Sequence, residues 1–224
     1  LSILPPSERE TLLHDWLGAS VSYPVHLTLQ DLFQAQALSH PHRIAASHGE
    51  DTITYAELNN LAGKIAEVLR LSGVVRNDIV GIYHYRSVSF LAAVMGVLKS
   101  GAAFVPVDPT YPIGRVRHML ADSEVGVLIS SNSLLEALYE TQADEEEAEK
   151  AEKMSANLRV VLTTDCGSPA LNADVLAQFT LWTHDNIEAI SESYQHNGRA
   201  TDRAYMMYHS GSTGPPNVAL TSHH

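Results

Sequence analysis

The chain of 224 residues carries 26 acidic and 14 basic side chains, which gives a formal net charge of −12. The basic residues are scattered, so no nucleic-acid partner is expected, because phosphate backbones are held by clustered lysine and arginine. A hydrophobic content of 45% is enough to bury a core. There is no run near the roughly 18 apolar residues of a membrane span and no signal-peptide pattern, so we expect a cytoplasmic protein without a membrane partner.

Cysteine and histidine usage further narrows the function classes. The single cysteine, Cys166, excludes an internal disulfide and fits a reducing compartment. The 12 histidines lack cysteine or carboxylate partners at zinc spacing. We therefore predict no metal-binding residues in this chain.

Residues 1–24 have the pattern of a linker or approach segment. Ser7 is a predicted helix N-cap, with Glu10 three residues further on. One face of this helix would carry apolar side chains, namely Leu12, Leu13, Trp16 and Leu17. We expect that face to dock on a neighbouring domain or on this one.

The next stretch predicts two helices separated by a hairpin. The first helix runs from about Thr28 to Ser39, and the strands Arg43–His48 and Thr52–Thr54 follow around a turn at Gly49. In the first helix, Leu29, Leu32, Phe33 and Gln36 recur at helical spacing. The second helix opens at Thr54 with a capping box to Glu57 and ends near Gly73.

Strands then alternate with helices of ten or more residues. The predicted strands are Ile79–Tyr83, Ala102–Val107 and Val125–Ser130, and the predicted helices between them are Ser87–Ser100 and Pro112–Asp122. Consecutive βαβ units build a parallel sheet, and nearly continuous apolar strands are typical of sheets buried on both faces. The fold class predicted is therefore α/β, with a parallel sheet flanked by helices.

The pattern weakens after this point. A helix is predicted for Ser133–Glu140, followed by an acidic excursion at residues 141–156, in which Asp144–Lys153 holds six acids and two lysines. Such a segment favours a frayed, exposed helix. A strand is predicted at Leu158–Thr163, and no secondary structure is predicted between Asp165 and Arg203.

The stretch Tyr208–Asn217 has the composition of an anion-binding loop. Its glycines allow close backbone approach, Ser210, Ser212 and Thr213 add hydroxyls, and successive amides in a tight turn can hold a phosphate. Apolar runs at Ala204–Tyr208 and Val218–Thr221 predict a strand on either side. A solvated glycine and serine turn is the alternative interpretation; the spacing of the common P-loop and of the nucleophile elbow is absent.

Three separated stretches resemble motifs of one enzyme superfamily. Ile53–Leu58 is similar to its Leu-[Thr/Ser]-Tyr-x-Glu-Leu motif, and Leu98–Asp108 to Leu-Lys-Ala-Gly-x-Ala-Tyr-x-Pro-x-Asp. Tyr208–Ala219 is similar to the phosphate loop Tyr-Thr-Ser-Gly-Ser-Thr-Gly-x-Pro-Lys-Gly-Val. The chain resembles the adenylate-forming, AMP-binding enzymes, most closely the N-terminal part of a nonribosomal peptide synthetase adenylation domain. Residues 25–224 would be the incomplete N-terminal subdomain, preceded by the linker 1–24.

This resemblance implies ATP-dependent activation of a carboxylic acid, first of all an amino acid, as an acyl adenylate. It implies ATP and Mg²⁺ as cofactors, a phosphopantetheine carrier as acceptor, and neighbouring condensation or carrier domains as partners in a longer protein. The β and γ phosphates would be bound by Ser210, Gly211, Ser212, Thr213 and Gly214. No catalytic residue is assigned in this chain, because the resemblance implies that the catalytic lysine, the acid pocket and the groups around magnesium come later.

Two positions depart from the phosphate-loop motif. Asn217 stands where the family has lysine, and Val218 stands where it has glycine. An amide is a weaker partner for a triphosphate than a point charge. A degenerate, non-catalytic nucleotide-binding or scaffold module therefore remains an alternative, as does a piece of an aminoadipate reductase or an acyl-CoA ligase, which share the loop.

Overall fold

The structure is a computed structural model that describes residues 3–18, 21–140, 145–191, 198–209 and 217–224. For residues 145–147 and 217 it describes the backbone only. The helices are α1 (Pro6–Glu10), α2 (Leu29–Ser39), α3 (Tyr55–Leu71), α4 (Val88–Lys99), α5 (Ile113–Asp122), α6 (Asn132–Glu140), α7 (Glu145–Asn157), α8 (Ala173–Leu176) and α9 (His184–Glu188). The strands are β1 (Ile44–His48), β2 (Asp51–Thr54), β3 (Ile79–Tyr83), β4 (Ala103–Val107), β5 (Val127–Ser130), β6 (Val160–Thr163), β7 (Thr180–Trp182), β8 (Arg203–His209) and β9 (Asn217–Ser222).

A seven-stranded sheet with the order β7-β6-β5-β3-β4-β8-β9 forms the centre of the fold. Neighbouring strands are parallel, except that β9 pairs antiparallel with β8. From β3 the chain moves to β4 on one side and then to β5, β6 and β7 on the other. In open α/β sheets such a reversal of strand order marks the edge at which ligands bind, outside the carboxyl ends of the strands.

Helices cover both faces of the sheet. Along β3, Val80 and Ile82 join the core beneath α3, α4 and α9, whereas Tyr83 joins the core beneath α5, α6 and α7. Every residue of β5 and β6 is buried. This burial is what parallel strands covered on both faces require. The predicted α/β class with a parallel sheet flanked by helices is confirmed.

The predicted start and end of the long helix α3 are confirmed by its caps. The Thr54 hydroxyl accepts a hydrogen bond from the Glu57 amide at 3.3 Å, and the Glu57 carboxylate accepts from the Thr54 amide at 2.9 Å. The bond from the Thr54 amide, together with one that the Thr54 hydroxyl donates to the same carboxylate at 2.7 Å, holds the pKa of Glu57 below its ordinary value. At the other end, Gly73 has a φ of +79°, the left-handed conformation that glycine adopts without strain.

The predicted cap of the first helix is wrong. α1 begins at Pro6 with Pro5 at the N-cap and no side-chain capping bond, and it continues into a π-helical turn at Thr11–Asp15. Proline suits the first helical position because its φ is already helical and its missing N–H would be unpaired there. No residue of α1 or of the π-helical turn is buried. In the described part of the chain the predicted apolar face is therefore not docked on this domain.

The predicted buried face of α2 is also partly wrong. Thr28 is the N-cap, in a capping box with Asp31, so the helix begins one residue later than predicted. The buried positions are Gln30 and Ala37, while Leu29 and Leu32 are exposed. The face that packs inward is set by the contact between Phe33 and Tyr55, whose ring centroids lie 5.9 Å apart.

The described part of the acidic excursion, from residue 145 onward, forms a helix that is less exposed than predicted. α7 packs against α5, and Met154 is only 2% exposed. One apolar side chain in an otherwise charged segment therefore docks this helix on the core. The stretch for which no structure was predicted contains the short elements α8, β7 and α9. No helix in the described ranges has the length and apolar content to cross a bilayer.

Candidate functional site

The predicted loop is carried by an antiparallel hairpin at the edge of the sheet. His209 of β8 lies opposite Asn217 of β9, and Tyr208 lies opposite Val218. The prediction that a strand lies on each side of the loop is confirmed. The predicted phosphate-binding residues lie outside the described residues, so their roles remain predictions; they are Ser210, Gly211, Ser212, Thr213 and Gly214.

The pairing of His209 with Asn217 closes the loop at its base. Partners in an antiparallel ladder lie side by side, so the ends of β8 and β9 that flank the loop lie at neighbouring points. Both points are at the carboxyl end of β8. This is the end of the parallel sheet at which the strand order predicts ligand binding.

β8 is tied at its amino end by polar contacts. The amide of Arg203 donates to the side-chain oxygen of Asn77 at 2.9 Å. Next to it, the Arg76 guanidinium lies 3.0 Å from the carboxylate of Asp202, which is only 4% exposed. Asn77 itself has a φ of +70°, a conformation that asparagine tolerates better than most residues. These contacts fix where the strand begins.

Toward their carboxyl ends, β4 and β8 separate. Their ladder contains the single pair Phe104 with Tyr205, although β4 continues to Val107 and β8 to His209. Pro106 lies in the stretch of β4 that is not paired with β8. Proline lacks the N–H that a ladder needs and is normally found at edges and breaks of sheets.

A cleft with a volume of about 1160 Å³ opens where the two strands separate. Phe104 on its wall packs with the core beneath α3 and α4, whereas Tyr111 and Tyr208 pack with the core beneath α5. The cleft therefore reaches both faces of the sheet through the gap. Its apolar lining is completed by side chains of α4, among them Phe90, Leu91 and Val94. Large apolar clefts with a few polar groups are typical ligand sites.

The polar groups at the rim of the cleft are of both signs. The charged and histidine side chains among them are His48, His84, Arg86 and Asp108. Asp108 accepts hydrogen bonds from the amide and the hydroxyl of Thr110, each at 2.8 Å. Mainly through these bonds, the pKa of Asp108 is held below its ordinary value, and the nearby Arg86 adds a smaller effect in the same direction. Asp108 is therefore a carboxylate at neutral pH.

His84 is held in one orientation by its neighbours. Its Nδ1 lies 2.7 Å from the Tyr85 carbonyl oxygen, and its Nε2 lies 2.9 Å from the Thr164 hydroxyl. A carbonyl oxygen can only accept, so Nδ1 carries a proton, and in the neutral ring Nε2 accepts from Thr164. Nε2 thus links the segment after β3 to the segment after β6, while Nδ1 fixes the ring within its own segment.

The described residues contain no group of three or more histidine, cysteine, aspartate or glutamate side chains that could hold a metal ion. Asp108 is the carboxylate at the rim of the cleft, and it is already engaged by Thr110.

Sequence reasoning missed the residues of the cleft. Most of its polar groups directly follow a strand, as His84 and Arg86 follow β3 and Asp108 follows β4. That position, at the carboxyl end of a parallel strand, was visible in the sequence. The bond that the Tyr208 hydroxyl donates to Asp122 of α5 was not visible, because the two residues are far apart along the chain.

Comparison with known proteins assigns the family. Residues 33–224 match the family model described as AMP-binding enzyme. The chain belongs to the AMP-binding enzyme family. The resemblance predicted from the three motifs, to adenylate-forming enzymes and most closely to the N-terminal part of a peptide synthetase adenylation domain, is confirmed.

Curated members of this AMP-binding family that resemble the chain are very large. It is 33% identical over 226 residues to tyrocidine synthase 3 of Brevibacillus parabrevis, covering 100% of this chain and 3% of that protein. It is 30% identical over 223 residues to gramicidin S synthase 2 of Aneurinibacillus migulanus, covering 100% of this chain and 4% of that protein. The chain thus spans a small fraction of the relatives that it matches.

Solved structures of AMP-binding relatives share the fold. The nonribosomal peptide synthetase FmoA3 (S1046A) superimposes with a TM-score of 0.66 at 25% identity, over 91% of this chain and 18% of that chain. Its AMPPNP-bound form gives 0.65 at the same identity and coverage. The anthranilate CoA ligase AuaEII, in complex with anthranoyl-AMP, gives 0.70 over 90% of this chain and 34% of that chain; at 19% identity it supports the fold alone.

Proposed function

We propose that this chain binds the polyphosphate of ATP through the loop Ser210–Gly214 and that, within a longer protein, it serves ATP-dependent activation of a carboxylic acid as an acyl adenylate. The observation that carries the proposal is the hairpin of β8 and β9: the residues that flank the predicted loop, His209 and Asn217, are paired at the carboxyl end of β8, and Tyr208 lines the cleft. The family match and the AMPPNP-bound relative support it.

In this reaction a carboxylate oxygen of the acid forms a bond to the α-phosphorus of ATP. The bond from that phosphorus to the bridging oxygen breaks, and pyrophosphate leaves with the electron pair. Loop amides and the hydroxyls of Ser210, Ser212 and Thr213 would donate to the β and γ phosphate oxygens, where negative charge grows. Such donors accelerate the step only if they are held in place beforehand, which is the contribution of the hairpin. Mg²⁺ would supply further charge neutralisation of the phosphates.

The acid is proposed to be an amino acid, because the relatives of this chain include nonribosomal peptide synthetases. Transfer of the acyl group to a phosphopantetheine carrier, and neighbouring condensation or carrier domains, belong to the same proposal. Residues 25–224 are proposed as the N-terminal portion of the adenylation domain and residues 1–24 as its linker. No catalytic residue of this chain is included.

A second candidate, a degenerate module that binds nucleotide weakly or not at all and serves as a scaffold, is favoured by Asn217. This residue opens β9, directly opposite His209, so position 217 lies at the base of the loop. A lysine here would bring a positive charge to the phosphates, and asparagine brings none. The two candidates differ in whether the natural loop binds ATP.

Titration of ATP with Mg²⁺ into the purified chain, followed by calorimetry, tests the proposal. We expect binding that is lost in Ser212→Ala/Thr213→Ala and that is kept in Thr221→Ala, a control substitution of one hydroxyl outside the loop. Asn217→Lys should tighten binding by about tenfold, the effect of one charge-assisted contact. Absence of binding in the natural chain, with recovery in Asn217→Lys/Val218→Gly, would support the degenerate module instead.

A second assay tests the assignment of roles. We expect the isolated chain to catalyse no exchange of pyrophosphate into ATP with any amino acid, because no catalytic residue is assigned to it. Robust exchange would show that the chemistry is carried by residues of this chain, and the assignment would then be wrong.

A further inference from the structure

We propose that Tyr208 is the positioning residue of the phosphate loop: its hydroxyl ties the carboxyl end of β8 to the carboxyl end of α5, and so sets where residues 210–216 leave the sheet. This inference deepens the proposed function and rests on it for its meaning. Its structural part, the positioning of the hairpin, can be tested without a nucleotide.

The contacts of the Tyr208 hydroxyl define the tie. It donates to the Asp122 carboxylate at 2.7 Å and lies 3.2 Å from the Met119 carbonyl oxygen. The ring packs with the core beneath α5. A hydrogen bond to a carboxylate is shorter and roughly twice as strong as one between neutral groups. The end of β8 is therefore held both by packing and by a charge-assisted bond.

The tie matters because the sheet itself holds this end of β8 weakly. The ladder to β4 consists of the pair Phe104 with Tyr205, so beyond Tyr205 the hairpin has a strand partner only in β9, which moves with it. Among the described residues, the Tyr208 hydroxyl makes the only side-chain hydrogen bonds that join residues 206–209 to the rest of the fold. Without them, the hairpin could turn about the Tyr205 pairing and carry the loop with it.

Asp122 lies where helix stability alone would not favour an acid. It is the last residue of α5, and a negative charge at a helix carboxyl end is opposed by the helix dipole. Its side chain is engaged by Tyr208. A substitution of Asp122 therefore separates the two effects: it should favour the helix while releasing the loop.

The Tyr208 hydroxyl is protonated and can therefore donate a hydrogen bond at neutral pH. Burial, with a further contribution from the hydrogen bond to Asp122, raises the pKa of its hydroxyl well above the ordinary value for tyrosine. The hydroxyl consequently keeps its proton throughout neutral and mildly alkaline pH.

Hydrogen exchange followed by mass spectrometry on the intact chain tests the positioning role. In Tyr208→Phe and in Asp122→Ala, amides of residues 206–219 should exchange about tenfold faster, the effect of losing one hydrogen bond to a charged acceptor. The double variant should exchange no faster than Tyr208→Phe alone, because Tyr208→Phe already removes the bond to Asp122. Tyr205→Phe is the matched control, since it removes a hydroxyl from the same strand, and its exchange should equal that of the natural chain.

The melting temperature separates positioning from general stability. Asp122→Ala should melt close to the temperature of the natural chain, because removal of the charge at the end of α5 offsets part of the lost bond, while exchange at residues 206–219 rises. Unchanged exchange at 206–219 in Tyr208→Phe would overturn the inference, and so would faster exchange spread evenly over β3, β5 and β6. In ATP titrations, Tyr208→Phe should bind about tenfold more weakly than the natural chain. If the natural chain binds no ATP, the proposed function fails, and the exchange data still decide whether Tyr208 positions the hairpin.

Discussion

The packing of α3 against α4 allows one stability prediction to be worked out from distances. Gly96 of α4 faces α3, and a Cβ atom at this position would lie 2.5 Å from Ile65 Cγ2, 2.7 Å from Ile65 Cβ and 3.2 Å from the Ala62 carbonyl oxygen. Ordinary carbon contacts are about 3.5 to 4.0 Å, so Gly96→Ala would have to push the helices apart by about 1 Å. Ile65 is buried and branched at Cβ, and it cannot turn away.

Two opposing terms set the size of this effect. Alanine in a helix interior is favoured over glycine by about 1 kcal/mol, whereas overpacking a buried contact usually costs about 1 to 3 kcal/mol. The closest contact here is to a branched carbon next to the backbone, so the upper end of the cost applies, and we expect a net loss of about 2 kcal/mol. For a chain of this size that corresponds to a melting temperature lower by about 4 to 8 °C.

Urea unfolding followed by circular dichroism measures the loss, and two variants control it. Gly81→Ala places the same methyl group against the ends of the Leu128, Val125 and Leu120 side chains, at 2.9 to 3.2 Å, and such ends can shift, so it should cost less. Ile65→Leu removes the branch at Cβ, so it should make the Gly96→Ala cost smaller in the double variant. A Gly96→Ala chain as stable as the natural one would show that the two helices do not pack as closely as described.

Two further predictions concern the capping box and the sheet edge. Glu57→Ala should lower the melting temperature above about pH 4.5, the ordinary pKa of the carboxyl. The difference from the natural chain should disappear as the pH falls, because the folded-state pKa is lowered and protonation of Glu57 breaks its bonds to Thr54. A difference that grew toward acid pH would contradict this. Leu220 on the edge strand β9 is 47% exposed, so Leu220→Lys should reduce self-association of the isolated chain, measured by light scattering. The free energy of unfolding should change by no more than about 0.5 kcal/mol. Unchanged association would show that this edge does not mediate self-association.

The parts of the fold that could be predicted are those in which one local signal dominates. β3 was predicted with the bounds Ile79–Tyr83 that it has, because a short apolar run is flanked by polar residues. The start of α3 was predicted from Thr54 and Glu57, whose bonds are local in sequence. Where several faces of a helix are comparably apolar, as in α2, the choice of the buried face depends on tertiary contacts such as that of Phe33 with Tyr55. Periodicity within one segment does not contain that information.

Short elements escaped prediction for a different reason. α8 has 4 residues and β7 has 3, fewer than are needed to show a period of 3.6 or even a clear alternation. Thr183 opens α9 with a capping box whose partner is Asn186, instead of the glutamate or glutamine of the usual pattern. β7 is a strand because it pairs with β6, which is again a tertiary cause.

For the candidate site, the chemistry of the loop could be predicted from glycine, serine and threonine, but the cleft beside it could not be read from that motif. A different residue carried the signal. Pro106 lies inside a strand whose other residues have the pattern of a buried strand. Because proline has no N–H, such a strand cannot be hydrogen-bonded to neighbours on both sides along the whole of its length. In the structure β4 is paired with β3 as far as Val107, but its pairing with β8 ends at Phe104. The sheet therefore opens only between β4 and β8. The same opening leaves the end of β8 dependent on Tyr208, so a single break in one ladder accounts both for the space beside the loop and for the need to anchor it from α5.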